Sequence, residues 1–276
     1  MPTNEVRNIA LTHVPADAAS AYLTLASDPK YQHFVRIPER ILQCVDYFGI
    51  ACDRTATMRL LHIYYLFIGV VDDSIDAGEP DSGRKVLEYL SARSPLFDQD
   101  VRRSSVRLVT EILKSELKGE TYPLMMKLMW SLHTQVINER AANSMESYIN
   151  HRNSVGSLTA ELSYALIRPG LGRGHEILCG FMRRVGAVGC LIDSLIDLRA
   201  DRRVGLLGFT PGFADYGKLI HRVLRDGLRI SLKHPGLSRL FLRAVIDNLQ
   251  DRFRPAKRSG HDVFLPIRKD EAPNAA

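Results

Sequence analysis

The sequence predicts an all-α bundle, and three observations carry that expectation. Apolar residues recur at three- and four-residue spacing along most of the 276 positions, and no stretch repeats the alternation of a half-buried strand. Helix starts and stops punctuate the chain: Asp53 and Ser144 precede apolar runs, and Arg168, Pro169 and Gly170 follow one. Hydrophobic residues make up 45% and charged residues 25%, enough apolar surface for one large domain with a substantial core. No internal repeat is visible. The expectation is a single α-helical domain over 1–276, with loose segments at 1–14 and 255–276.

In order, residues 17–26 and 38–47 read as short helices. Asp53 is placed to cap a longer helix, whose apolar run 60–71 ends in carboxylates and is stopped by Gly78 and Pro80. Helical patterns follow at 84–93, 98–118, 121–141, 144–167 and 175–199. Residues 205–212, rich in Gly, read as a mobile loop, and two last helices follow near 213–232 and 236–253.

Composition narrows the function classes. The net charge of +6 suits nucleic acid or an anionic small molecule, but Lys and Arg are scattered and no aromatic-basic module appears. Cys44, Cys52, Cys179 and Cys190 form no paired or zinc-like spacing, which suggests reduced thiols in a cytoplasmic protein. Residues 1–7 carry no apolar signal core, and the run 60–71, interrupted by His62, falls short of the ~20 residues a membrane span needs. His62, His133 and His151 have no metal-ligand spacing, and no Gly-rich phosphate loop or nucleophile elbow is present.

Two acidic clusters stand out against this background. Asp193, Asp197 and Asp201 recur every fourth residue among Leu191, Ile192, Leu195, Ile196 and Leu198. On a helix such spacing makes a slowly drifting row of carboxylates on one face. Carboxylates gathered on a buried helix repel one another and lose hydration unless a cation sits among them. Mg2+, a hard ion that takes oxygen ligands, answers that need. The alternative is a solvated face neutralised by Arg199, Arg202 and Arg203. The second cluster, Asp72, Asp73 and Asp76, ends the apolar run 60–71, and helical spacing lets all three converge at one helix end.

The Asp-Asp-x-x-Asp at Asp72, Asp73 and Asp76, with the triad at Asp193, Asp197 and Asp201, resembles the paired metal motifs of the class I isoprenoid (terpenoid) synthase superfamily. The run 190–205 looks most like the second motif of squalene/phytoene synthases and the related large (class IB) terpene synthases; the resemblance covers roughly 58–80 and 145–209. It implies a class I terpenoid synthase helical bundle that holds Mg2+, three ions when diphosphate is bound, through those six aspartates. It implies a linear prenyl diphosphate as substrate, ionised to a carbocation that a terpene cyclase closes. It also implies a diphosphate-sensing Arg, for which Arg152, about forty residues before Asp193, is the best match. A guanidinium fork suits phosphate oxygens. Arg202 and Arg203 are further diphosphate candidates, with charge compensation as the alternative. Phe67, Tyr148, Tyr164 and Phe181, with Tyr64, are candidates for the cavity wall, where aromatic faces stabilise a cation; plain core packing is the alternative. Gly156 and Ser157 either admit substrate close to the backbone or pack helices.

Two other readings stay open. Head-to-head coupling of two prenyl diphosphates fits the squalene/phytoene likeness, since ordinary cyclases carry Asn, Ser or Thr, and Glu where this chain has three Asp. An inactive helical binding protein would use the same scaffold without chemistry. The sequence does not give the oligomeric state, and a homodimer is one assembly compatible with this reading.

Overall fold

The computed structural model describes residue 11 and residues 13–76, 81–92, 104–203 and 207–253. Among these the architecture is all-α. The helices are α1 (Ala16–Ala26), α2 (Gln32–Val35), α3 (Ile37–Tyr47), α4 (Arg54–Asp76), α5 (Ser82–Ser91), α6 (Ser105–Glu116), α7 (Thr121–Arg140), α8 (Met145–Ile167), α9 (Glu176–Arg203), α10 (Phe213–Lys233) and α11 (Ser238–Phe253). Short 3-10 turns at Pro29–Tyr31, Arg168–Gly170 and Pro235–Leu237 join some of them. The stop expected at Gly78 and Pro80, most of the loose segment 1–14 and the segment 255–276 lie outside the described residues. Leu11, which belongs to that first segment, is buried in the core.

Local chemistry sets several starts. The Asp53 carboxylate accepts from the Ala56 N–H at 3.0 Å and opens α4. Ser104 and Ser144 do the same for α6 and α8, accepting from the N–H groups of Arg107 and Ser147. The cap at Ser104 places the start of α6 later than residue 98; 98–103 lie outside the described residues. The short α2 has no sequence period of its own. It is held because Gly69 leaves the backbone of α4 bare and the Phe34 ring of α2 lies directly on it.

The main core gathers buried faces from α1 through α10, centred on α4, whose Leu61, Tyr64 and Leu66 are fully buried. A smaller cluster joins α8, α9 and α10 through Met145, Tyr148, Leu191, Leu198 and Leu219. Leu207 and Phe209 pack onto this second cluster. The described part of the Gly-rich loop is therefore anchored by its own apolar residues, where the sequence suggests mobility.

Helices α8 and α9 pack along much of their lengths. They approach at Gly156 and Gly186, where a Cβ on either residue would collide with the other's carbonyl oxygen, and a Cβ on Gly156 would also lie 2.7 Å from the Cβ of Cys190. Gly156 is thus a helix-packing glycine. Replacing an exposed helical Gly by Ala gains about 1 kcal/mol, whereas overpacking a tight contact costs about 1–3 kcal/mol. Gly156→Ala is expected to lower stability by about 2 kcal/mol in urea titration. A gain would show that the two helices separate freely.

His62, on α4, is 4% exposed, and its Nδ1 has no hydrogen-bond partner among the described residues. Burial pushes the imidazole down to about 4. The unfolded chain takes up this proton below its ordinary value near 6.5 while the native state refuses it. Stability is therefore full above that value and falls as pH drops towards 4. The resulting loss is about 2 kcal/mol at pH 5 relative to pH 7.5. His62→Leu should remove this increment from the pH dependence of urea unfolding; parallel profiles for the two proteins would contradict it.

Candidate functional site

The first acidic cluster stands at the C-terminal end of its helix. Asp72 and Asp73 occupy the last two turns of α4, which has no basic residue in its last turn. Carbonyl groups at a helix C-terminus repel carboxylates, by about 0.3–1 kcal/mol each at exposed sites. That placement works against local stability. Asp193 and Asp197 lie further from the end of α9, ten and six residues before Arg203.

The two clusters open onto one cavity of about 820 Å³. Asp72 and Asp73 line it from α4, Asp193 and Asp197 from α9, and Arg152 from α8. The packing of α9 explains its share. Leu191, Leu195 and Leu198 face the α8–α10 cluster, and helical periodicity turns Asp193 and Asp197 to the opposite side. Further down the same two helices the lining becomes apolar. Phe67 precedes Asp72 by more than a turn, and Phe181 and Met182 lie some 17 Å below Asp193 along α9 at 1.5 Å per residue. These three are nearly fully buried, whereas Asp72 and Asp73 are exposed. The cavity thus has an acidic, open end and an apolar, closed end. Phe181 also packs against Phe48 and Phe241, with centroids 5.1 and 5.8 Å away, so aromatic rings from α9 and α11 meet at the closed end.

Arg152 is held rather than merely present. Its Nη1 donates to Glu139 of α7 at 3.2 Å, and its Nε donates to the Cys190 carbonyl at 3.3 Å. The Tyr148 hydroxyl donates to Ser194, and the Ser194 hydroxyl donates to the same Cys190 carbonyl. These bonds tie α8 to α9 one turn from Asp193. Burial opposes the charge on Arg152, yet its affinity for the proton is raised well above the ordinary value. Burial also pushes the Cys190 thiol up to about 12, so the thiol is neutral, and the compensating field comes from Glu139 and Asp72. Burial raises the Glu139 carboxyl above the usual range, with Arg152 opposing.

At the open end the Lys30 ammonium donates to Asp73 at 2.7 Å, and the Tyr31 hydroxyl donates to the same oxygen at 3.2 Å. Both come from the 3-10 turn Pro29–Tyr31, capped by the Asp28 carboxylate. Both line the cavity, as does Glu139. Sequence reading missed Lys30, Tyr31 and Glu139, because their relation to the aspartates exists only after the helices pack.

The remaining sequence candidates fall elsewhere. Tyr148 and Tyr164 do not line the cavity: Tyr148 is used against Ser194, and the Tyr164 hydroxyl hydrogen-bonds with His175 Nδ1 at 2.7 Å. Tyr64 is core and donates to the Thr159 carbonyl. Arg202 is exposed at the end of α9 and does not line the cavity. Asp76, Asp201 and Arg203 lie on the last turns of α4 and α9, and their side chains fall outside the described residues.

Among the described residues no three His, Cys, Asp or Glu groups gather closely enough to hold a metal ion by themselves. Mg2+ does not require such a cage: it commonly binds one or two carboxylates, keeps waters, and takes its other ligands from substrate phosphates. Oxygen donors on two sides of an open cavity fit that mode. Comparison with protein-family models, with curated proteins and with solved structures returned no match.

Proposed function

We propose that the protein is a Mg2+-dependent class I terpene synthase that ionises a linear prenyl diphosphate and closes the resulting carbocation to a terpene. The observation that carries this reading is the meeting of Asp72, Asp73, Arg152, Asp193 and Asp197 at the open end of a cavity whose closed end is apolar and aromatic. The diphosphate binds at the open end, against the Arg152 guanidinium, whose charge-assisted bonds tighten as negative charge grows on the leaving oxygen. Asp72, Asp73, Asp193 and Asp197, with Asp76 and Asp201 beyond them, would hold Mg2+, which neutralises the leaving diphosphate and templates it. The prenyl chain lies along Phe67 and Phe181, and their ring faces stabilise positive charge while the apolar wall excludes water. Lys30 yields Asp73 when the anion arrives. The single domain, the cytoplasmic location and the homodimer belong to this same reading.

Incubating the protein with Mg2+ and prenyl diphosphates of increasing chain length tests it. The expected result is diphosphate release with a cyclised hydrocarbon or alcohol of the substrate's own carbon count. A product of twice that carbon count would assign head-to-head coupling instead. No release with any chain length would leave a binding protein.

A further inference from the structure

Among the described residues, nothing covers a row of apolar side chains on α10. Phe213 is 97% exposed, and Ile220, Leu224, Leu228 and Leu232 are between 42% and 74% exposed. Their spacing places them on one stripe along a helix of 21 residues, roughly 30 Å long. The opposite side, carrying Leu219 and Ile230, is buried against the body of the protein. Scattered exposed leucines need no explanation, but a continuous row along a whole helix does. Lys218, Arg222, Arg225, Arg229 and Lys233 stand on the flank beside the row, five cations against Asp215 and Asp226 on the same helix. Asp226 forms ion pairs with Arg222 at 2.7 Å, Arg225 at 2.9 Å and Arg229 at 3.9 Å, and Asp215 pairs with Lys218 at 3.2 Å, so two carboxylates are shared among five cations and the face keeps a net positive charge.

We infer that α10 is a peripheral docking surface for an anionic phospholipid bilayer, lying in the plane of the interface. An apolar stripe flanked by Lys and Arg is the pattern that buries shallowly among acyl chains while its cations meet lipid phosphates and carboxylates. Phe213, at the open N-terminal end of the stripe, is the deepest anchor. Charge argues against an antiparallel second copy as the occupant. In an antiparallel two-fold pairing through the stripe, the basic flank of one α10 would face the same basic flank of the other. No described helix is long and apolar enough to cross a membrane, so the contact is one of lying on the surface. This inference does not depend on the proposed chemistry, and it is read without substrate.

The test is sedimentation of the full chain with vesicles of phosphatidylcholine alone or phosphatidylcholine containing phosphatidylserine, alongside sedimentation equilibrium without lipid. The expected result is binding to the anionic vesicles that weakens with salt and is at least about tenfold weaker to neutral ones. Leu224→Gln with Leu228→Gln should weaken it about tenfold or more, and Arg229→Gln with Lys233→Gln should abolish the preference for anionic lipid. These side chains are exposed, so an unchanged melting temperature verifies that the variants fold. Three results would overturn the inference: failure of the full chain to bind anionic vesicles, binding by the Leu variants equal to that of the parent, and a lipid-free dimer broken by the Leu variants, which would assign the stripe to a second copy.

Discussion

Replacing Arg152 by Met is expected to cost both stability and turnover, and a second substitution separates the two losses. The guanidinium pairs with Glu139, whose side chain is only 13% exposed. Removing one partner of a buried pair strands the other charge, at a typical cost of about 3–5 kcal/mol. Glu139 is already shifted upward by burial with Arg152 in place, and without it the shift grows. A carboxylate whose native value lies above its unfolded one costs nothing below the unfolded value, and the cost accumulates as pH rises through the native value. The stability loss of Arg152→Met should therefore be largest near neutral pH and shrink in acid. Adding Glu139→Gln removes the stranded charge and should restore most of the stability. It should not restore diphosphate release, which is expected to stay down about 10²–10³-fold, the usual cost of one lost electrostatic contact to a leaving group. Recovery of release in the double variant would make Arg152 a structural residue only.

Asp197→Asn is expected to show the reverse separation. Asp193 and Asp197 share one face of α9 a turn apart. Like charges at that spacing cost about 0.2–0.5 kcal/mol. Losing one negative charge at nearly constant shape should leave metal-free stability equal or slightly higher. Diphosphate release should fall by about a hundredfold or more, corresponding to ~3 kcal/mol of transition-state stabilisation. The stabilisation that Mg2+ gives the parent in thermal melts should shrink in the variant, because the ion binds only the native state. Lower metal-free stability with turnover intact would assign Asp197 to pairing with Arg199 or Arg202.

Most of the helices were legible because their starts are written in side chains. Asp53 and Ser144 cap α4 and α8 as their positions suggested. The short α2 was not, since four residues carry no period and the Phe34–Gly69 contact that holds it is tertiary. The acidic clusters were legible for a physical reason: they break local rules, placing carboxylates at a helix C-terminus after an apolar run in α4 and in a row among apolar residues in α9. The polar neighbours that Asp73 and Arg152 acquire were not legible. Lys30 reaches Asp73 across 43 residues and Glu139 reaches Arg152 across 13, and neither spacing is a helical neighbour relation. Choosing among the aromatics failed for a related reason. Phe67, Phe181, Tyr148 and Tyr164 are all buried on helices near the motifs, and only packing turns the first two towards the cavity.

If the two acidic clusters act on one diphosphate through Mg2+, both must be intact for release. Diphosphate release from a prenyl diphosphate by the parent, Asp73→Asn and Asp197→Asn, each with excess Mg2+ and with chelator, tests this most directly. Release by the parent in Mg2+ alone is expected, with its loss in chelator and a loss of about a hundredfold or more when either cluster is altered. Release that persists in chelator, or that survives alteration of one cluster, would contradict it.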